Sequence, residues 1–192
     1  MTDRVPALDR RTLVKATAAA ASLAVVPSVV AASAHLSGSQ RLRIGVVGCG
    51  GRGTGAAFNA LDASPDARLV ALADVFGDRL ESSRGNLANR SQCEVTDGDC
   101  YVGFDAYRDL MARDDVDVVI LATPPHFRPL HFAEAVRQGK HVFMEKPVAV
   151  DAPGIRRVLA AVEKSKAQKR MVAIGLQRRH EPKYIETMKR VH

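Results

Sequence analysis

A lysine follows a short apolar run in HVFMEKP (residues 141–147). Such a run predicts a strand, and lysine rarely occupies the end of a buried strand without a partner. An amine beside a substrate hydroxyl is suited to move the proton of that hydroxyl. Lys146 is therefore the candidate catalytic residue, and Glu145 is a candidate cofactor contact at the same strand end. The alternative is a structural ion pair of Lys146 with Glu145 or with another acid.

Glycine is concentrated in GVVGCGGRGTG (residues 45–55), where six of eleven residues are glycine. Part of this stretch fits G-x-G-x-x-G, and it follows a predicted strand and opens a predicted helix. In that setting glycines permit a tight turn, a close approach of a diphosphate to the backbone, and helix packing on the strand. The N–H groups at the helix start then face the phosphates. A purely structural turn is the alternative. The predicted contacts of this turn are Gly48, Gly50, Gly51, Arg52 and Gly53.

An acidic residue ends the second predicted strand, ARLVALAD, 21 residues after Gly53. Asp74 has the spacing of the carboxylate that accepts hydrogen bonds from the ribose hydroxyls of NAD. The same carboxylate repels a 2′-phosphate, so the sequence favours NAD over NADP. Arg79, one helical turn further on, softens that preference. The alternative role of Asp74 is to cap the following helix.

The third predicted strand runs into a polar loop in LATPPHF (residues 121–127). Ligands of open parallel sheets bind at the carboxyl ends of the strands. Thr123, Pro124 and His126 are therefore expected to border the nicotinamide side of a bound cofactor. For His126 the alternative is an ordinary solvated loop histidine.

The elements that must position these residues alternate in type along the chain. Alternation of strand and helix predicts an α/β fold, a doubly wound parallel sheet of the Rossmann type with helices on both faces. This dinucleotide-binding domain is predicted to span residues 41–175. The predicted strands are residues 42–47, 67–74, 116–123, 141–145 and 171–175. The predicted helices are residues 54–63, 77–89, 105–113, 129–139 and 152–168, with another from 182.

The first 34 residues are typical of an export signal. A polar segment with Arg10 and Arg11 precedes an uncharged run rich in alanine and valine, which ends in the small-residue pattern ASA. DRRTLVK resembles a twin-arginine signal, and that route delivers folded proteins to the periplasm. We expect cleavage after Ala34, which leaves no stable membrane span. The alternative is an uncleaved anchor, since Ala16–Ala34 approaches the length of a bilayer span.

The composition excludes some classes of partner. The chain has 192 residues, a formal net charge of +7 and only 5% aromatic residues. Because no basic run alternates with aromatic residues, we do not expect nucleic-acid binding. An oligomer is compatible with this composition.

Two cysteines flank a predicted turn in SQCEVTDGDCYVGF. In an exported protein this spacing favours a disulfide between Cys93 and Cys100, and the alternative is two free thiols. A metal site is not expected, because no histidine lies near the two sulfurs.

The glycine turn, Asp74, TPPH and EKP, in this order and spacing, resemble the Gfo/Idh/MocA oxidoreductases. The resemblance covers about residues 41–192, although Arg128 stands where many members have histidine. It implies hydride transfer between NAD(P) and a hydroxyl-bearing carbon of a sugar or cyclitol, with Lys146 as the active-site lysine. It also implies that residues 176–192 begin a second, substrate-binding domain that is truncated here, so we expect little turnover from this chain alone.

Two other functions remain open beside hydride transfer to a sugar or cyclitol. The family that the sequence resembles also contains NAD-dependent glycosidases, which oxidise a sugar carbon transiently and regenerate the cofactor. Net NADH formation separates a dehydrogenase from such a glycosidase. The third reading is a nucleotide-binding fragment without catalytic activity.

Overall fold

Six parallel strands form the centre of the molecule, which is known here from a computed structural model that describes residues 41–191. The strands are β1 (Leu42–Val47), β2 (Ala67–Asp74), β3 (Cys100–Val102), β4 (Val118–Leu121), β5 (His141–Glu145) and β6 (Val172–Gly175). Their order across the sheet is β3-β2-β1-β4-β5-β6. From β1 the chain adds strands first toward one edge of the sheet and then, from β4, toward the other edge. Open α/β sheets bind ligands at such a switch point, here between β1 and β4.

Helices connect the strands and cover both faces of the sheet. They are α1 (Gly51–Ala63), α2 (Gly77–Leu87), α3 (Ala106–Ala112), α4 (Arg128–Arg137), α5 (Ala152–Ala167) and α6 (Pro182–Val191). Short 3₁₀ turns precede β3 and α6, at Asp97–Asp99 and Gln177–His180. The doubly wound parallel fold predicted from the alternation of elements is thereby confirmed.

The hydrophobic core consists of two clusters, one on each face of the sheet. One cluster joins the sheet to α3, α4 and α5, with Leu110, Phe132 and Val158 among its members. The other joins the sheet to α1 and α2 through residues such as Leu61 and Leu80. Because both faces are covered, the central strands are apolar throughout rather than alternating.

Several elements differ from the sequence-based expectation; for example, the strand predicted at residues 116–123 spans only Val118–Leu121. Strand β3 lies in a stretch predicted to be irregular, because three residues are too few to show a period. Helix α1 begins at Gly51 rather than Thr54, so Gly51 and Gly53 already belong to the helix. Helix α6 buries none of its side chains and exposes Tyr184 and Met188.

The predicted disulfide between Cys93 and Cys100 is not formed, and both thiols are free. Cys93 pairs with Leu69 and Cys100 with Leu72, on the same edge of β2. Three residues of strand separate these positions by about 10 Å. A disulfide needs Cα atoms within about 7 Å, so the sheet register holds the two cysteines apart.

Among residues 41–191, no helix combines the length and the apolar character needed to cross a membrane.

Candidate functional site

The turn between β1 and α1 requires glycine at two positions because backbone lies against it. Gly48 has φ +96°, and a Cβ there would lie 2.7 Å from the backbone nitrogen of Thr123. A Cβ on Gly53 would lie 1.7 Å from the carbonyl oxygen of Gly48. These contacts bring α1 close to β1 and β4, as the sequence pattern predicts.

Gly50 has a different reason to lack a side chain. No atom lies within 4 Å of the position that a Cβ on Gly50 or Gly51 would occupy. The first hydrogen bond of α1 runs from the Thr54 N–H to the Gly50 carbonyl, so the three preceding N–H groups lie ahead of the helical ladder. An open space beside such donors at a helix N-terminus fits a phosphate group.

Asp74 lies at the end of β2, next to the glycine turn. Its Oδ2 accepts a hydrogen bond of 2.6 Å from the backbone N–H of Cys49, and its Oδ1 accepts one of 2.9 Å from the backbone N–H of Phe76. Each oxygen of a carboxylate has a second lone pair, so the group retains acceptor capacity toward the cavity that it lines. The carboxylate thus combines a structural contact with the geometry expected of a ribose-binding acid.

A cavity of about 520 Å³ opens at the carboxyl end of the sheet. Its volume is within the usual range for small-molecule and cofactor sites. The walls are the glycine turn and the loops after β2, β3 and β4. The sequence-predicted residues that line it are Gly48, Gly50, Arg52, Gly53, Asp74, Thr123 and Pro124.

The remaining predicted residues lie elsewhere. Gly51 borders a groove between α1 and α2, and His126 is an exposed loop residue outside the cavity lining. Glu145 is buried and does not line the cavity, but it contacts Arg52, which does. Lys146 is exposed and lines a separate cavity of about 480 Å³ together with Gln177, Arg178 and neighbouring residues.

Aromatic residues that sequence reasoning missed form part of the main cavity. Phe76 and Phe104 follow β2 and β3 and are 54% and 71% exposed, although they are large and apolar. Tyr107, Phe127 and His131 also line this cavity. The sequence does carry a signal for these residues, because phenylalanine just after a strand is unexpected in a solvated loop and indicates a binding surface.

His131, rather than His126, is the histidine of the cavity. It is 6% exposed, shares a hydrogen bond of 3.2 Å with the hydroxyl of Thr123, and packs against the ring of Tyr107 at a centroid distance of 4.2 Å. Burial, followed by the nearby charge of Arg128, lowers the pKa of His131 to about 4. The imidazole is therefore neutral at physiological pH. Its helical position on α4 gave no sign of this role in the sequence.

The structural ion pair considered for Lys146 and Glu145 is not formed. The Oε1 of Glu145 instead accepts a hydrogen bond of 2.7 Å from Nε of Arg52, and it lies 2.6 Å from Nη2 of the same guanidinium. The pair joins the N-terminus of α1 to the end of β5. Glu145 therefore contacts the cavity lining indirectly, through its ion pair with Arg52.

Arg128 connects the two loops at the β4 and β5 ends. Its guanidinium donates hydrogen bonds to the carbonyl oxygens of Thr123 and Pro147. The side chain is buried, and this burial lowers its pKa. Arg128 thereby fixes the segment that contains Lys146 relative to Thr123.

Comparison with known proteins agrees with this geometry. The family model described as the oxidoreductase family with an NAD-binding Rossmann fold, GFO_IDH_MocA, matches residues 42–174. An inositol 2-dehydrogenase from Rubrobacter xylanophilus is 36% identical over 148 residues, which are 77% of this chain and 38% of that protein. A glycosyl hydrolase family 109 protein from Streptomyces coelicolor is 30% identical over 135 residues, which are 70% of this chain and 27% of that protein.

A solved structure supports the same assignment. The scyllo-inositol dehydrogenase from Lactobacillus casei, with bound NAD(H) and scyllo-inositol, has a TM-score of 0.63 and 25% sequence identity. The match covers 78% of this chain and 40% of that chain. The present chain thus spans about 40% of the length of such relatives. Since the family model covers most of the chain, the chain belongs to the Gfo/Idh/MocA oxidoreductase family, with its NAD-binding Rossmann fold.

Proposed function

We propose that the chain is the NAD-binding part of an oxidoreductase that oxidises a hydroxyl group of a cyclitol or sugar. The observation that carries the proposal is the open space at Gly50, at the start of α1, in a cavity that Asp74 also lines. Similarity to inositol 2-dehydrogenases supports the substrate class.

Different residues of this chain bind different parts of the cofactor. The N-terminus of α1 binds the diphosphate, and Arg52 adds a positive charge beside it. Asp74 accepts hydrogen bonds from the ribose hydroxyls of the cofactor. NAD is preferred over NADP because the carboxylate repels the 2′-phosphate of NADP. Thr123 and Pro124 border the nicotinamide, a role also proposed for His126 from the sequence.

NAD, when bound, supplies the acceptor for the hydride that leaves the substrate carbon. Lys146 lies at the end of β5 and takes the proton from the substrate hydroxyl as the hydride departs. The exposure of Lys146 and its separate cavity with Gln177 and Arg178 are compatible with a substrate that approaches from that side. Oxidation then yields one ketone, one reduced cofactor and one proton.

The test is a titration of the purified protein with NADH, followed by an assay of NAD reduction with inositol isomers. Saturable NADH binding is expected, and Lys146→Ala should leave that binding unchanged while it removes any oxidation. An absence of NADH binding contradicts the cofactor assignment. Where the unsubstituted protein shows measurable oxidation of inositol, a Lys146→Ala variant that oxidises it as fast contradicts the assigned role of the lysine.

The second candidate is an NAD-dependent glycosidase, supported by the similarity to a glycosyl hydrolase family 109 protein. Such an enzyme returns the hydride to the substrate, so the cofactor is not consumed. Release of a chromogenic leaving group from glycosides without net NADH formation would favour it. Accumulation of NADH with a free polyol would favour the dehydrogenase.

We further propose that residues 1–34 are a twin-arginine export signal and that the mature protein is periplasmic. The support is the Arg10-Arg11 pair, the uncharged run after it and the ASA pattern. These residues lie outside those that the structure describes. Mass spectrometry of the periplasmic fraction should find His35 at the N-terminus. An intact chain recovered only from membranes would contradict cleavage, and replacement of both arginines by lysine should block export.

We propose a domain boundary near residue 175, with residues 176–192 leading out of the dinucleotide-binding domain. The low burial of α6 supports this boundary. Limited proteolysis should cut within residues 176–192 before it cuts within the sheet.

A further inference from the structure

The carboxylate of Glu145 is buried against the backbone of β6. Glu145 is 7% exposed and ends β5, where it pairs with Gly175 of β6. A Cβ on Gly175 would lie 2.7 Å from Oε1 of Glu145, so the carboxylate occupies the space that a side chain on β6 would fill. The acid is therefore a buried group packed against β6 rather than an exposed surface group.

Arg52 occupies a position where an unrestrained cation is unfavourable. It is the second residue of α1, and the positive end of the helix dipole repels a guanidinium there. Both Nε and Nη2 of Arg52 bind the single oxygen Oε1 of Glu145, whereas the side chain is 49% exposed and lines the main cavity. The buried acid thus holds the arginine at the cavity wall beside the glycine turn.

We propose that Glu145 is a positioning residue for the cofactor: it fixes Arg52 so that the guanidinium meets the diphosphate. The inference rests on the proposed NAD-binding function. Because Glu145 directly precedes Lys146, the same ion pair ties the lysine segment to the cofactor turn.

A positioning role for Glu145 and a merely structural ion pair predict different effects on cofactor binding when either charge is removed. Loss of Arg52 removes a cation from the diphosphate site and also leaves a buried carboxylate without its partner. Loss of the Glu145 charge leaves the cation in place but unrestrained, so ordering it on binding costs side-chain entropy. If Glu145 acts only through Arg52, its loss has no further unfavourable effect once Arg52 is gone.

The experiment is a double-mutant cycle on NADH affinity, read by fluorescence titration of the full chain at fixed ionic strength. We expect Arg52→Gln to weaken NADH binding about tenfold or more, as for a lost charge-assisted hydrogen bond. Glu145→Gln alone should weaken binding about threefold, within the range for one immobilised side chain. The double variant should bind NADH no more weakly than Arg52→Gln.

A matched control is the ion pair between Glu134 and Arg137, which joins a largely buried acid to an exposed arginine on α4. Glu134→Gln should leave NADH affinity unchanged. Thermal unfolding of every variant separates folding from binding, because a purely structural role of Glu145 lowers the midpoint without moving the dissociation constant.

Two results would overturn the proposal while NADH still binds the unsubstituted protein. One is a double variant whose loss equals the product of the two single losses. The other is a Glu145→Gln variant with unchanged or tighter NADH binding. If the unsubstituted protein does not bind NADH at all, the cofactor assignment fails first and the positioning role fails with it.

Discussion

The backbone N–H of Cys49 donates a hydrogen bond of 2.6 Å to Oδ2 of Asp74, which joins the middle of the glycine turn to the end of β2. The two residues are 25 positions apart in the sequence. The acid therefore has two tasks, since it shapes the turn that receives the diphosphate and it also faces the cavity. Substitutions of Asp74 are expected to affect folding and binding together.

Asp74→Ala should weaken NADH binding by about tenfold or more, because hydrogen bonds to a charged acceptor are lost. NADPH binding should fall less or rise, since the repulsion of a 2′-phosphate is lost as well. The free energy of unfolding should decrease by about 1–3 kcal/mol, because two backbone donors lose their acceptor. Calorimetric titrations with both cofactors and urea unfolding measure these effects. Equal losses for NADH and NADPH would contradict the ribose contact.

Arg79 provides the complementary variant. Its guanidinium lies 4.9 Å from the ring centre of Phe76, on the wall of the main cavity. Arg79→Gln in the Asp74→Ala background should weaken NADPH binding more than NADH binding.

The glycines of the turn should separate into two classes on substitution. Gly50→Val places a side chain in open space, so it should block the diphosphate while it changes stability by about 1 kcal/mol or less. Gly53→Ala forces a Cβ against the Gly48 carbonyl and should destabilise the fold by about 1–3 kcal/mol. NADH titration and thermal unfolding of both variants test this division. Unchanged NADH affinity in Gly50→Val would contradict the diphosphate site.

The fold could be predicted because its signals are local. Each long strand and helix carries its own period, and alternation of the two fixes a parallel sheet. Strand β3 was missed because its three residues are paired only through β2, and no local pattern reports such pairing. The same limit explains the error over the cysteines, whose separation is set by the register against β2.

The site could be predicted in part for the same reason. The turn and Asp74 form one local unit of strand, turn, helix and strand, so their spacing identifies them. The pairing of Arg52 with Glu145 spans 93 positions and depends on how β5 and α1 approach each other. Sequence reasoning did not identify His131 as a cavity residue, because no local pattern shows that a histidine inside a helix is buried. His126 was selected instead because it follows a predicted strand.

Thiol counting should find three free cysteines with different reactivities. Burial raises the pKa of the Cys49 thiol to about 12, so this residue should not react with a thiol reagent while the protein is folded. Cys93 and Cys100 are only partly buried and should react first. Unfolding in denaturant without reductant should bring the total to three. A total of one would show that Cys93 and Cys100 are bridged in solution.

The stability of the protein should fall between pH 6.5 and pH 4 because of His131. Its pKa is lowered from 6.5 to about 4 in the folded state, chiefly by burial. In that interval the unfolded chain binds a proton that the folded chain does not, so acidification favours unfolding. The contribution is fully present above pH 6.5 and is lost as the pH falls toward 4. Its size should be about 3 kcal/mol.

His131→Gln removes this titration and should flatten the dependence of the unfolding free energy on pH, measured by urea unfolding at several pH values. His141 is a suitable control, because its pKa is also lowered by burial but it lies at the start of β5, away from the cavity. The carboxylates whose pKa is lowered by arginine, such as Asp117 beside Arg43, lose their contribution only below this interval. If His131→Gln keeps the full acid dependence while His141→Gln loses it, the burial of His131 is not its source. Because folded His131 stays neutral across this interval, NADH affinity should change only as the pH approaches about 4, where this ring in the cavity lining becomes charged.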